Sequence, residues 1–197
     1  MLAASLLLSI LIESTGIALG WWGNGHAAEM LAREVQHLQF DQQRDLIGIP
    51  APGKTALRVV EFLQSSGLSQ GQWQSRLTAR GINEPWRSWL CVPVGVLGVF
   101  SLRLVVCLYS AGLMVLCATV GLQEGLMRRE LRKWGGGAES AFLYHHLKRW
   151  LRPLLITGWL TYLALPISVH PNWIWMPLAV GLGLVLMATA SLWKRLT

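Results

Sequence analysis

The sequence predicts an all-α membrane protein with four transmembrane helices and a small helical periplasmic region between spans 1 and 2. Three observations predict this. The 197 residues are 53% hydrophobic and only 14% charged, whereas an ordinary soluble domain carries about a quarter charged residues. Apolar runs long enough to cross a bilayer recur along the chain. Between residues 128 and 152 stand seven Lys or Arg (Arg128, Arg129, Arg132, Lys133, Lys148, Arg149, Arg152) against two Glu, and short loops rich in Lys and Arg stay on the cytoplasmic side. The net charge of +7 is therefore read as topology and contact with anionic lipid rather than as a nucleic-acid surface.

Span 1 is expected over residues 1–22, about twenty apolar residues that cross a hydrocarbon core of about 30 Å. A signal peptide would need a basic leader and a clearer cleavage site than Gly25-His26-Ala27, so this segment is expected to be retained. Residues 23–101 form the periplasmic region and the outer part of the second membrane helix. Up to residue 88 they hold seven basic and six acidic side chains. One helix is expected over 26–46, with Met30, Leu31, Val35 and Leu38 on its apolar stripe, and Pro50-Ala51-Pro52-Gly53 stops it. A second covers 55–64, and a third opens at Ser69 and carries Trp73 and Leu77.

From Trp89 to Met127 runs an apolar stretch that would be about 58 Å long as a helix, more than a bilayer needs. Its hydrocarbon segment is placed at 102–123, followed by a basic cytoplasmic loop at 124–153 in which Gly135-Gly136-Gly137 breaks the helix. Span 3 is expected at 154–169, kinked by Pro166. His170-Pro171-Asn172 makes a tight turn, span 4 covers 174–192, and 193–197 form a cytoplasmic tail. Lys194 and Arg195 then share the side of the basic loop, so both termini face the cytoplasm of a bacterial inner membrane. Several of the eleven Trp, including Trp21, Trp22, Trp89, Trp150, Trp173 and Trp193, stand at interface depth.

Chemistry-bearing residues are few. Glu13 lies inside span 1 and Arg103 inside the second apolar run. A charge at the bilayer centre costs about 2.5–3.5 kcal/mol on insertion scales, so the two are proposed to meet as an intramembrane ion pair. Two other readings stay open: Glu13 as a proton relay, or a neutral Glu13 with Arg103 reaching outward. Tyr144-His145-His146 lacks the i, i+4 spacing of a helical metal pair, and His26 and His37 are eleven residues apart. Cys91, Cys107 and Cys117 are not paired at zinc or thiol-exchange spacing. The glycine run lacks the Lys-Ser/Thr of a nucleotide loop. No catalytic residues, metal ligands or cofactor are therefore expected, and no enzyme activity. Small residues Gly181, Gly183, Ala188 and Ala190 permit close helix approach in span 4.

Two stretches carry a family likeness. Arg128-Arg-Glu-Leu-Arg-Lys-Trp-Gly-Gly-Gly-Ala-Glu-Ser140 with Phe142-Leu-Tyr-His-His-Leu-Lys-Arg149, and Tyr162-Leu-Ala-Leu-Pro-Ile-Ser-Val-His-Pro-Asn172, closely resemble the integrating conjugative element membrane protein family. Trp21-Trp22, Glu29-Met-Leu31 and Glu34 resemble the start of its first loop. The likeness covers nearly the whole chain. It implies a bacterial mobile element and genes beside a coupling ATPase of type IV secretion, with no catalytic residues assigned; the longer start of relatives implies that Met1 is internal. The expectation is a non-enzymatic accessory component of DNA transfer, with Arg132, Lys133, Lys148 and Arg149 as cytoplasmic contacts for lipid, the coupling ATPase or another secretion component. The alternative is a small transporter or immunity-type cargo protein. Direct DNA binding by the loop is disfavoured, and no small-molecule substrate is evident.

Overall fold

In the computed structural model, which describes residues 2–23, 25–41, 51–83, 86–135 and 141–192, the elements are all helices: α1 (Leu2–Ala18), α2 (His26–Asp41), α3 (Pro52–Ser65), α4 (Gln70–Ala79), α5 (Trp86–Gly135), α6 (Ala141–Ala164) and α7 (Pro171–Ser191). Two stretches, Trp89–Arg132 within α5 and Pro171–Ser191, are long and apolar enough to cross a membrane. The other two expected spans differ from these. α1 is apolar over 17 residues, about 26 Å at helical rise, and α6 carries Arg149 and Arg152 in its first half.

Local chemistry sets the boundaries. α3 opens on Pro52 in its first turn, where a missing N–H costs nothing. It closes with the Leu68 amide on the Leu63 carbonyl at 2.9 Å and Gly67 at φ 71°, the left-handed closure that glycine adopts without a Cβ penalty. α4 closes the same way at Gly81, φ 70°, with Ile82 N–H on Leu77 O. Ser69 precedes α4 as expected, but its hydroxyl makes no capping bond. The second apolar run is one 50-residue helix, Pro93 included.

Span 3 needs correction. α6 begins well before residue 154 and ends at Ala164, and Leu165 to His170 are not helical. Leu165 precedes Pro166, and a residue before proline is pushed out of the α region, so Pro166 ends the helix instead of kinking it. Pro171 is no part of a turn: it occupies the first position of α7, where its fixed φ suits helix entry.

The chain divides into two compact units. The first comprises residues 1–107 with 160–170. Its core gathers Ala27, Met30 and Leu38 of α2, Ala56 and Leu63 of α3, Leu77 of α4, Val92 to Val106 on the inner face of α5, and Tyr162 and Leu163. Burying each larger side chain contributes about 1.5–3 kcal/mol. α2 lies along α5 in parallel register. Ala27 meets Gly95, Leu31 meets Gly98, and Glu34 meets Arg103.

The second unit comprises residues 108–159 with 171–197. Here a methyl group on Gly121 of α5 would collide with the Gly183 carbonyl of α7, and one on Gly125 would fall 2.7 Å from Ala190 Cβ. The two backbones therefore touch, which small residues alone permit. Of the four small residues read in span 4, Gly183 and Ala190 form this seam, whereas Gly181 faces open space. Trp159 and Trp175 meet edge to face at 6.0 Å, a preferred arrangement of aromatic rings.

Candidate functional site

Arg103 is 2% exposed, in an apolar helix that offers it nothing to bond. Its partners come from elsewhere in the first unit. Nε donates to Glu34 Oε1 at 2.7 Å and Nη2 lies 2.6 Å from the same oxygen. Nη1 donates to the carbonyls of Tyr162, at 3.2 Å, and Leu165, with a longer contact to Leu163, and Nη2 donates to Ile167 O at 3.0 Å. The Tyr162 ring lies 5.7 Å from the guanidinium carbon, within cation–π range.

The arrangement follows from Pro166. Where α6 stops, its last carbonyls have no helical N–H to accept from, and they carry the negative end of the helix dipole. A buried guanidinium, with five donors in a planar fork, answers several carbonyls at once. Its charge is balanced by Glu34, itself 6% exposed. Burial pushes the Glu34 carboxyl above its usual value and the Arg103 charge pulls the other way, burial being the larger effect. Glu34 Oε2, His37 Nδ1 and Ser168 Oγ are buried with no hydrogen-bond partner among the described residues. His37 faces His170 at 5.5 Å between ring centres.

Glu13 has a different partner from the one expected. It is 3% exposed, and both its oxygens lie 3.1–3.2 Å from His26 Nδ1. The bend after α1 folds α2 back so that its first residue returns to Glu13. His26 stacks on Trp22 at 4.8 Å and 18°, and Trp22 in turn covers Gly16, where any side chain would collide with the indole. The expected Glu13–Arg103 pair is thus replaced by two pairs, Glu13–His26 and Glu34–Arg103. The physical reason is register. Glu34 lies one helical turn from both Met30 and Leu38, so it travels down the α5-facing stripe of α2 and reaches Arg103. Sequence reasoning missed it although a carboxylate between two buried apolar residues at i−4 and i+4 was the available signal.

The basic segment in the second unit is partly committed. Arg128 Nε bonds Glu124 at 2.8 Å on the same helix. Arg132 Nη1 donates to the Ser191 carbonyl at 3.0 Å, a cation at the end of α7. Arg149 and Arg152 are exposed, as are Trp134 at 90% and Trp150 at 57%. The side chains of Lys133, Lys148 and His145, and residues 136–140 and 193–197, lie outside the described residues. Arg103 and Arg132, both on α5, therefore use one device: each closes the carbonyl end of a following helix.

Chemically, the first unit holds a buried Glu34–Arg103 ion pair and a buried Glu13 against the partly exposed His26, and the second presents exposed cations and exposed indoles. Among the described residues no group of three or more His, Cys, Asp or Glu is placed to hold a metal ion, and Cys91, Cys107 and Cys117 form no disulfide. A family model described as "IncC plasmid conjugative DNA transfer protein DtrJ-like" matches residues 21–194. No curated protein and no solved structure matches the chain.

Proposed function

The chain belongs to the DtrJ-like family of conjugative DNA transfer proteins, and from this we propose that it is a non-enzymatic, multi-pass inner-membrane accessory protein that supports the coupling ATPase of a type IV secretion system. α5 and α7 cross the membrane, α1 and the apolar half of α6 add two shorter crossings, and both termini face the cytoplasm. The observation that carries the reading is that Arg149, Arg152, Trp134 and Trp150 are all exposed. Arg and Trp are the residues that anchor protein interfaces, and an excess of cations fits the cytoplasmic side. An acidic face of the coupling ATPase or another secretion component is the partner that this chemistry suits.

The test has two steps. Deletion of the gene, complemented in trans, reads whether transfer needs the protein. Lys148→Gln with Arg149→Gln and Arg152→Gln then reads docking: the variant inserts at normal level but loses crosslinks to the ATPase and the transfer that depends on them. Normal crosslinking by this variant would remove the docking role.

A further inference from the structure

The first unit contains a cavity of about 170 Å³ that the buried pairs do not use, walled by Leu31 of α2, Val60 and Leu63 of α3, and Val94, Gly95 and Gly98 of α5, with the Gln70 side-chain oxygen lying against Gly95. Its size is close to that of the engineered cavity of about 150 Å³ that stays dry and takes up benzene. Such a space holds one aromatic ring.

The rim is different in character. Gln64, Leu68, Ser69 and Ala28 complete the lining, and Gln64, Leu68 and Ala28 are exposed. One residue from Leu68, the guanidinium of Arg76 lies against Gly67, so that a methyl there would sit 2.6 Å from Nη2. Arg76 is exposed, and among the described residues no carboxylate lies within salt-bridge distance of it. An apolar hole for one ring, with a cation against the residue next to its lining Leu68, is complementary to a ring with an anion attached.

We propose that this cavity is a docking pocket for a partner polypeptide, taking one phenylalanine-sized side chain while Arg76 pairs with an adjacent carboxylate, either an acidic residue or the chain's C-terminus. Size favours a ring over the competing occupant. A lipid acyl chain is several times longer than the cavity, whereas a benzyl group fills it. Ser69, whose hydroxyl makes no capping bond, and the Gln64 amide are placed to meet the peptide backbone next to the anchor. The pocket goes beyond the cytoplasmic docking proposed above, since it lies in the other unit and needs neither the basic segment nor the ATPase.

The probe is N-acetylphenylalanine, which carries ring, amide and carboxylate, compared with its uncharged amide by ligand-observed NMR on the full chain in detergent. Saturable binding is expected, weakened at least fivefold when the carboxylate becomes an amide or when Arg76 becomes Gln. Ala28→Trp, at an exposed residue of the lining, removes binding; Gly112→Ala, facing open space in the other unit, retains the fold and the affinity. Equal binding of acid and amide, or binding unchanged in both Arg76→Gln and Ala28→Trp, overturns the proposal. So does photoactivatable phosphatidylglycerol that labels Leu31 or Val94 and is not displaced by N-acetylphenylalanine, which would make the pocket a lipid site.

Discussion

Replacing Arg103 with Met keeps most of the side-chain volume but removes every donor. Glu34 is then left as a buried carboxylate with no counter-charge, a change that costs about 3–5 kcal/mol where one partner of a buried pair is deleted. The Tyr162, Leu165 and Ile167 carbonyls also lose their donor, and the Tyr162 carbonyl, the buried one of the three, adds about 1–3 kcal/mol as an orphaned acceptor. For a chain of this length about 1 kcal/mol corresponds to about 2–4 °C in Tm, so Arg103→Met lowers Tm by at least about 6 °C. Glu34→Leu alone leaves the guanidinium with its carbonyls and costs less. The double variant, Arg103→Met with Glu34→Leu, removes both charges and recovers about 2–3 kcal/mol relative to the sum of the singles, as coupled neighbours do. The assay is thermal unfolding of the four proteins in one detergent, with membrane accumulation as a second readout. Additive singles, or a loss below about 1 kcal/mol for Arg103→Met, would refute the reasoning, because coupled charge and carbonyl satisfaction require more.

Other consequences are equally direct. Gly121→Ala forces α5 and α7 apart and costs about 1–3 kcal/mol by overpacking, whereas Gly112→Ala, facing open space, is neutral or stabilising in the same unfolding assay. Arg132→Gln lowers stability by about 1 kcal/mol through loss of the α7 closure, while Arg149→Gln leaves stability unchanged and affects partner crosslinking alone. Because burial raises the Glu34 carboxyl above 4.5, its contribution to stability is fully present below that value and is lost as pH rises through the raised one. The difference in stability between wild type and Glu34→Gln therefore shrinks with rising pH in that window. A difference that grows with pH would reverse the assignment.

The helical class and the two long apolar stretches, in α5 and α7, were legible because hydrophobic period and length act locally. Met30 and Leu38 marked the inner face of α2, and Ser69 marked the start of α4. Arg103 stood out as a charge that must be answered. Its partner was not legible, since pairing Glu34 with Arg103 depends on the parallel register of α2 on α5, which residues 69 apart fix only through Ala27 on Gly95 and Leu31 on Gly98. Pro166 could be read as a breaker, but that the freed carbonyls would gather on one guanidinium is a tertiary fact. The α5–α7 seam was half legible. Gly183 and Ala190 were noted, while Gly121 and Gly125, four apart on one face, escaped notice inside a helix read for its charges and length.

The central claim is that this DtrJ-like chain serves DNA transfer. Its most direct test is the conjugative transfer frequency of the parent element after a clean, non-polar deletion, with the gene restored in trans. The account predicts a loss of several orders of magnitude that the wild-type gene repairs and the Lys148, Arg149 and Arg152 triple variant does not. Unchanged transfer in the deletion strain would contradict it.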